Sequence, residues 1–201
     1  VKLYYSPGAC SLAPHIVLRE AKATFQAERV DLRAHKTESG ADYYQINPKG
    51  SVPLLEIDGG ERLSEGPVIC QYIADKTGAV ELMPAAGTIA RYRVMEWQNY
   101  ITSEIHKGYS PLFNPAFDAA AKTLFRATLR KKYEWVATKL GNQNLTGSAF
   151  TAADAYLFAV TRWAKSVEVD LSDLDAISAF MDRTNQRPAV RAAIDAETAK
   201  K

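Results

Sequence analysis

Cys10 stands in Pro7-Gly8-Ala9-Cys10-Ser11, between the β-prone run Lys2-Leu3-Tyr4-Tyr5 and a helical pattern opening at Ser11. Unpaired backbone N–H groups at a helix entrance favour an anion, so a thiol there is expected to have a depressed pKa. Pro14 fits a first helical turn, where its missing N–H has no intrahelical partner to lose. The alternative is a buried structural cysteine. Ala13 occupies the place of a second thiol, so a self-contained dithiol couple is disfavoured and an external thiol must resolve any mixed disulfide. Cys70, inside an apolar helical stretch, reads as core.

Three further groups carry possible chemistry. Val52-Pro53 follows Asn47-Pro48-Lys49-Gly50-Ser51. A proline opening a strand there is either an ordinary loop proline or a cis proline that leaves the backbone of Val52 open to pair with a peptide. Ser64-Glu65-Gly66-Pro67 opens a helix, where free N–H groups suit a carboxylate and the Glu65 side chain suits an ammonium. Together they match the charged end of an amino acid, although plain capping explains them as well. Glu96, Asn99, Ser103 and His106 fall at spacings of three and four on one helical stripe, with Val94, Trp97, Ile101 and Ile105 opposite. The apolar stripe is expected in the core, and the histidine is either structural or functional.

The elements that must position these groups differ along the chain. Up to about residue 77, short β runs alternate with helical ones: a strand at 2–5, a helix at 11–21, a strand at 25–32, strands at 52–57 and 61–63 around Asp58-Gly59-Gly60, and a helix at 67–76. The order β-α-β, irregular stretch, β-β-α is the thioredoxin-type arrangement of a parallel pair plus a hairpin. Residues 78–87 read as a linker. From 88 the pattern is helical: 89–109 with a stop near Gly108 and Pro111, 119–140 ending at Gly141, a capping box Thr151–Asp154 before Ala155-Tyr156-Leu157-Phe158, then 173–186 and 188–200. The expected domains are therefore 1–77, thioredoxin-like α/β, and 88–201, all-α.

With 25 basic and 23 acidic residues the net charge is only +2, which gives no reason to expect nucleic acid or a membrane surface as partner. The basic cluster Arg126, Arg130, Lys131 and Lys132 reads as a solvated helix face. Two distant cysteines make no disulfide framework, no apolar run nears the roughly 18 residues of a membrane span, and no signal-like segment opens the chain. The cytoplasm is the expected setting, and no metal is expected.

Lys2-Leu3-Tyr4-Tyr5 through Pro14-His15, Lys36-Thr37-Glu38-Ser39-Gly40, Asn47-Pro48-Lys49-Gly50 with Val52-Pro53, and Leu63-Ser64-Glu65-Gly66 together resemble the bacterial beta-class glutathione S-transferases. Glu104-Ile105-His106-Lys107-Gly108 and Phe150-Thr151-Ala152-Ala153-Asp154 extend the likeness into the helical half. The resemblance implies the glutathione transferase fold, glutathione as co-substrate and a homodimer. It implies that Cys10 forms a mixed disulfide with glutathione, that Val52 pairs with its cysteinyl unit, and that Glu65 and Gly66 hold its γ-glutamyl end. Asn99, Ser103, Glu104 and His106 match positions near the thiol or reaching across a dimer. The family commonly carries lysine where this chain has His35, with Lys36 beside it, and a neutral imidazole binds a carboxylate less firmly than an ammonium does.

The expected reaction is attack of the glutathione thiolate on a small hydrophobic electrophile between the domains. Ser11 is a candidate hydroxyl donor to the sulfur, His106 a proton partner, and Cys10 a route to disulfide reduction. Tyr109, Phe113, Trp163 and Ser166 line the electrophile site or belong to the core. A glutathione-dependent dehalogenase or isomerase, and a non-catalytic glutathione-binding dimer, are the alternatives.

Overall fold

The computed structural model describes residues 1–199; the expected ends at Lys200, for the last helix, and Lys201, for the helical domain, lie outside the described residues. A five-stranded sheet has the order β3-β2-β1-β4-β5. β1 (Lys2–Tyr5) is central, parallel to β2 (Gln26–Asp31) and antiparallel to β4 (Leu54–Glu56), with Leu3 opposite Leu55. Covered on both sides, Leu3, Tyr4 and Tyr5 are all buried, as a central strand requires. β5 (Arg62–Ser64) closes the expected hairpin. The stretch after β2 is more ordered than its sequence indicated. β3 (Lys36–Thr37) pairs antiparallel with β2, and α2 (Tyr43–Ile46) is capped by Asp42, whose carboxylate accepts the Tyr44 N–H at 3.0 Å.

α1 (Leu12–Glu20) buries every residue from Leu12 to Leu18 because it is sandwiched among α3 (Gly66–Thr77), α7 (Ala152–Thr161) and α9 (Pro188–Thr198). The two halves of the chain thus share one core. Between them, Leu82 and Met83 of the 78–87 stretch are buried, and the Leu82 carbonyl accepts the Ala152 N–H at 2.9 Å. Arg91 of α4 (Ile89–Tyr100) forks onto the Asp75 carboxylate of α3 with bonds of 2.7 and 2.8 Å.

The helix expected over 89–109 is longer and irregular. After α4 comes a π-helical segment, Ile101–His106, and then α5 (Lys107–Phe113). Gly108 does not stop it. A Cβ there would lie 2.8 Å from Leu129 Cδ1, so the glycine serves the close approach of α6 (Ala119–Leu140). Pro111 sits inside α5, which ends two residues later. The capping box forms as expected, and Asp154 also accepts the Leu145 N–H at 2.8 Å, fastening the loop before α7. A 3₁₀ turn (Ala164–Val167) and α8 (Asp175–Asn185) complete the helices. The basic cluster on α6 is not simply solvated. Arg126 donates to the Val167 carbonyl, Arg130 pairs with Asp173, and Lys132 pairs with Glu104, docking α6 onto its neighbours. No helix of the described residues is long and apolar enough to cross a membrane.

Candidate functional site

Cys10 and Val52, distant in sequence, meet where β1 runs into α1 and where β4 begins. The half-buried Cys10 thiol donates to the Val52 carbonyl, with Sγ 3.5 Å from the oxygen. The expected depression of its pKa is reversed: burial pushes the thiol up to about 11, the Cys10 N–H opposes this, the Glu65 charge adds to it, and the Ser11 N–H opposes it least. Burial causes the reversal, and two facts of geometry go with it. α1 begins only at Leu12, and the sulfur faces a carbonyl, which stabilises S–H rather than S⁻. Without a ligand Cys10 is a thiol.

Ser11 also departs from expectation. Its side chain is wholly buried, accepting the Ser6 N–H at 3.1 Å and facing the Ser6 carbonyl at 3.3 Å. It clasps the Ser6–Ser11 turn and offers no hydroxyl to a sulfur.

The Val52-Pro53 bond is cis. Among the described residues no group accepts from the Val52 N–H, which leaves that strand-end donor open. Gly66 packs beside the same proline, since a Cβ on it would lie 3.9 Å from Pro53 Cγ. Glu65, just before α3, has a left-handed φ of 69°, the kind of backbone cost that functional turns retain. Its carboxylate takes the Lys49 ammonium at 3.0 Å, and Lys49 bonds Ser64 Oγ as well. The expected affinity of this corner for an ammonium is thus exercised by the chain's own lysine.

His106 ends the π-helical segment, whose wider turn breaks the expected stripe. Glu96, Asn99 and Ser103 stay exposed, whereas His106 turns half-inward with its ring 5.0 Å from Trp163 and Nδ1 2.6 Å from the Tyr156 hydroxyl. Burial, then the Lys107 charge, lower the His106 pKa to about 4. Burial raises the Tyr156 phenol, so it keeps its proton and orients the imidazole through the bond to Nδ1. Trp163 ties His106 to the Cys10 turn, since its ring lies 5.0 Å from the imidazole and its Nε1–H reaches the Gly8 carbonyl at 2.7 Å.

The other expected residues are placed differently. His35, at φ 49°, stacks on Tyr44 with centroids 4.3 Å apart and covers Gly50, where a Cβ would come 3.1 Å from its ring. Lys36 lies in β3 and lines a separate cavity of about 370 Å³ with Tyr5 and Asp31. The imidazole, not the ammonium, therefore adjoins the Gly50–Val52 stretch. Glu104 is held by Lys132 of α6 at 2.8 Å, which lowers its pKa. Asn99 shares a cavity of about 540 Å³ with Glu65, between α3 and α4. Tyr109 is core, wholly buried with its hydroxyl 2.9 Å from that of Tyr133, while Phe113 is half-exposed against Trp163. The Ser166 hydroxyl is turned back on the Trp163 carbonyl at 2.7 Å. Sequence reasoning missed Lys49 and Tyr156. Tyr156 was hidden in an apolar run, and only its phenol marked it as able to orient a histidine.

Two family patterns match this chain: the glutathione S-transferase N-terminal domain over residues 1–75 and the C-terminal domain over residues 115–196. Glutathione S-transferase GstA of Escherichia coli O157:H7 is 46% identical over 198 residues, covering 98% of each chain. Glutathione S-transferase GST-4.5 of Xanthomonas campestris pv. campestris is 36% identical over 98% of each. Among solved structures, a sphingomonad glutathione S-transferase complexed with glutathione superposes with a TM-score of 0.95 at 43% identity over 100% of each chain. The bacterial beta-class enzyme of Sphingomonas chungbukensis gives 0.93 at 42% identity, over 98% of this chain and 99% of its own. This chain belongs to the glutathione S-transferases, in their bacterial beta class.

Proposed function

We propose that glutathione lies with its cysteinyl backbone on Val52 and its γ-glutamyl ammonium on Glu65, which brings its thiol to Cys10 and His106. The observation that carries this reading is the meeting of Cys10 Sγ with the Val52 carbonyl, 3.5 Å apart. A peptide N–H arriving at that carbonyl competes with the Cys10 S–H and frees the sulfur for exchange. The γ-glutamyl ammonium likewise replaces Lys49 on Glu65. His35 is the residue for the glycyl carboxylate, beside Gly50.

Conjugation and thiol exchange use the site differently. For conjugation the glutathione sulfur, hydrogen-bonded by His106, is favoured as the thiolate. It forms a new S–C bond to a small hydrophobic electrophile held against Phe113 and Trp163, and the leaving group departs with its electron pair. For a glutathione-linked disulfide, Cys10 attacks the glutathione sulfur and the substrate thiol leaves. A second glutathione then attacks the Cys10-bound sulfur, releasing oxidised glutathione and regenerating Cys10. Cys10→Ala is expected to abolish reduction of a glutathione-linked substrate while conjugation of an aryl halide stays within about threefold. If neither rate changes, the assignment of Cys10 is wrong.

Residues 1–77 serve as the glutathione-binding domain and the helical remainder from 88 as the electrophile side. A homodimer in the cytoplasm is the form we assign. Val68 of α3 and Ile89, Tyr92 and Met95 of α4 expose apolar surface on one side of the molecule. Tyr92→Glu is expected to halve the mass measured by light scattering; an unchanged mass would remove this face from the interface.

A further inference from the structure

Glu197 has no part in the site described above, yet it is a carboxylate only 3% exposed near the end of α9. A buried carboxylate is costly unless both oxygens are satisfied. Oε2 accepts the Gly8 N–H at 3.2 Å, and Oε1 lies 3.0 Å from Nδ1 of His15. The tautomer of His15 follows from its other neighbour. Arg19 Nε donates to His15 Nε2 at 3.2 Å, so Nε2 offers its lone pair and Nδ1 carries the proton towards Glu197. The imidazole is itself wholly buried and wedged between the rings of Tyr5 and Phe25. A polar row thus runs Arg19–His15–Glu197 and ends on one backbone amide.

The same peptide unit is held from the other side. The Gly8 carbonyl accepts the Trp163 Nε1–H at 2.7 Å. Gly8 has a φ of +73°, and nothing surrounds the position where a Cβ would stand. Side-chain packing therefore does not hold this residue; hydrogen bonds from the helical half do. For stability alone a buried ionic row is a poor device, since apolar replacements of similar volume are often as good. What it provides is direction.

We propose that Glu197 is a positioning residue for the thiol-exchange reaction: through the Gly8 N–H it sets where Cys10 stands relative to Val52. The proposal rests on the reading of Cys10 given above. Three full-length variants test it, Glu197→Ala, Glu197→Asp and Glu197→Gln, assayed well below their unfolding temperatures. The readouts are amide hydrogen exchange at Gly8, kcat and KM for reduction of a glutathione-linked disulfide, and the rate of aryl halide conjugation. Asp keeps the charge and shortens the reach, so it tests position should Ala fail to fold. Ala and Asp are expected to speed exchange at Gly8 about tenfold and to lower kcat/KM for reduction of the glutathione-linked disulfide about tenfold, with aryl halide conjugation held within about threefold. Gln retains an acceptor for the Gly8 N–H but sets its NH2 against the His15 Nδ1–H, so it is expected to fall between Ala and the parent chain in both readouts.

A lower unfolding temperature with unchanged exchange at Gly8 would overturn the proposal. So would faster exchange with unchanged kcat/KM, because the carboxylate would then be structural only. Failure of the Cys10 reading shows elsewhere: Cys10→Ala would leave both chemistries intact, whatever the Glu197 variants do.

Discussion

The two walls of the site proposed for glutathione are made of different material. On the sheet side the groups that face a peptide belong to the backbone or are aimed by it: the strand-end Val52, the cis Pro53, and Glu65 and His35 at left-handed φ. On the helical side they are side chains: His106 turned by a π-helical segment, Tyr156 behind it, and Trp163 and Phe113 beside it. A backbone-built wall suits a ligand that never changes. A wall of rings can be altered residue by residue without disturbing the first, so recognition of glutathione and choice of electrophile are separable.

The sharpest way to break this comparison is Glu65→Gln, which keeps the backbone and removes the charge. It is expected to raise the KM for glutathione about tenfold, the worth of a hydrogen bond to a charged group, and to leave the KM of the electrophile unchanged. A shift of both constants together would mean that the walls are not independent. Phe113→Ala tests the other side. Loss of one half-exposed aromatic contact should raise the KM of an aryl electrophile about fivefold, with glutathione binding unaltered.

The smallest effect concerns pH. The folded His106 pKa of about 4 lies below that of a free imidazole, so this group stays neutral and His106 contributes no step in rate between pH 5 and 8. The sign for stability follows. Unfolded chains take up the proton first, so this residue costs the fold stability as pH falls from about 6.5 towards 4, and contributes no pH dependence above that window. The ring-proton NMR shift of His106 checks this directly; a midpoint near 6.5 would contradict the burial that orients it.

Most of the fold was legible because it rests on local chemistry. Alternation and Asp58-Gly59-Gly60 marked the hairpin, and Thr151–Asp154 marked the start of α7. β3 and α2 were not legible, because two- and four-residue elements are too short for any period to show. Gly108 and Pro111 misled for another reason. Their local preference is to stop a helix, but the approach of Leu129 explains the glycine and the short α5 tolerates the proline. In the site, the motifs did mark unusual backbone, the cis Val52–Pro53 bond and the positive φ of Glu65. The ionisation of Cys10 and the role of Ser11 were missed, because both depend on which atom a side chain meets across the fold. Periodicity also set His106 on one stripe with Ser103; a single wider turn undid it.

The seam between the halves has a consequence for how substrates enter. With Leu82 and Met83 buried, Arg91 forked onto Asp75 and α1 enclosed by α7 and α9, the joint is a weld and not a hinge. Opening by swinging one half away from the other would tear apart the shared interior. Admission of ligands is therefore left to small excursions at the rim, such as release of Lys49 from Glu65 or rotation of the Phe113 ring.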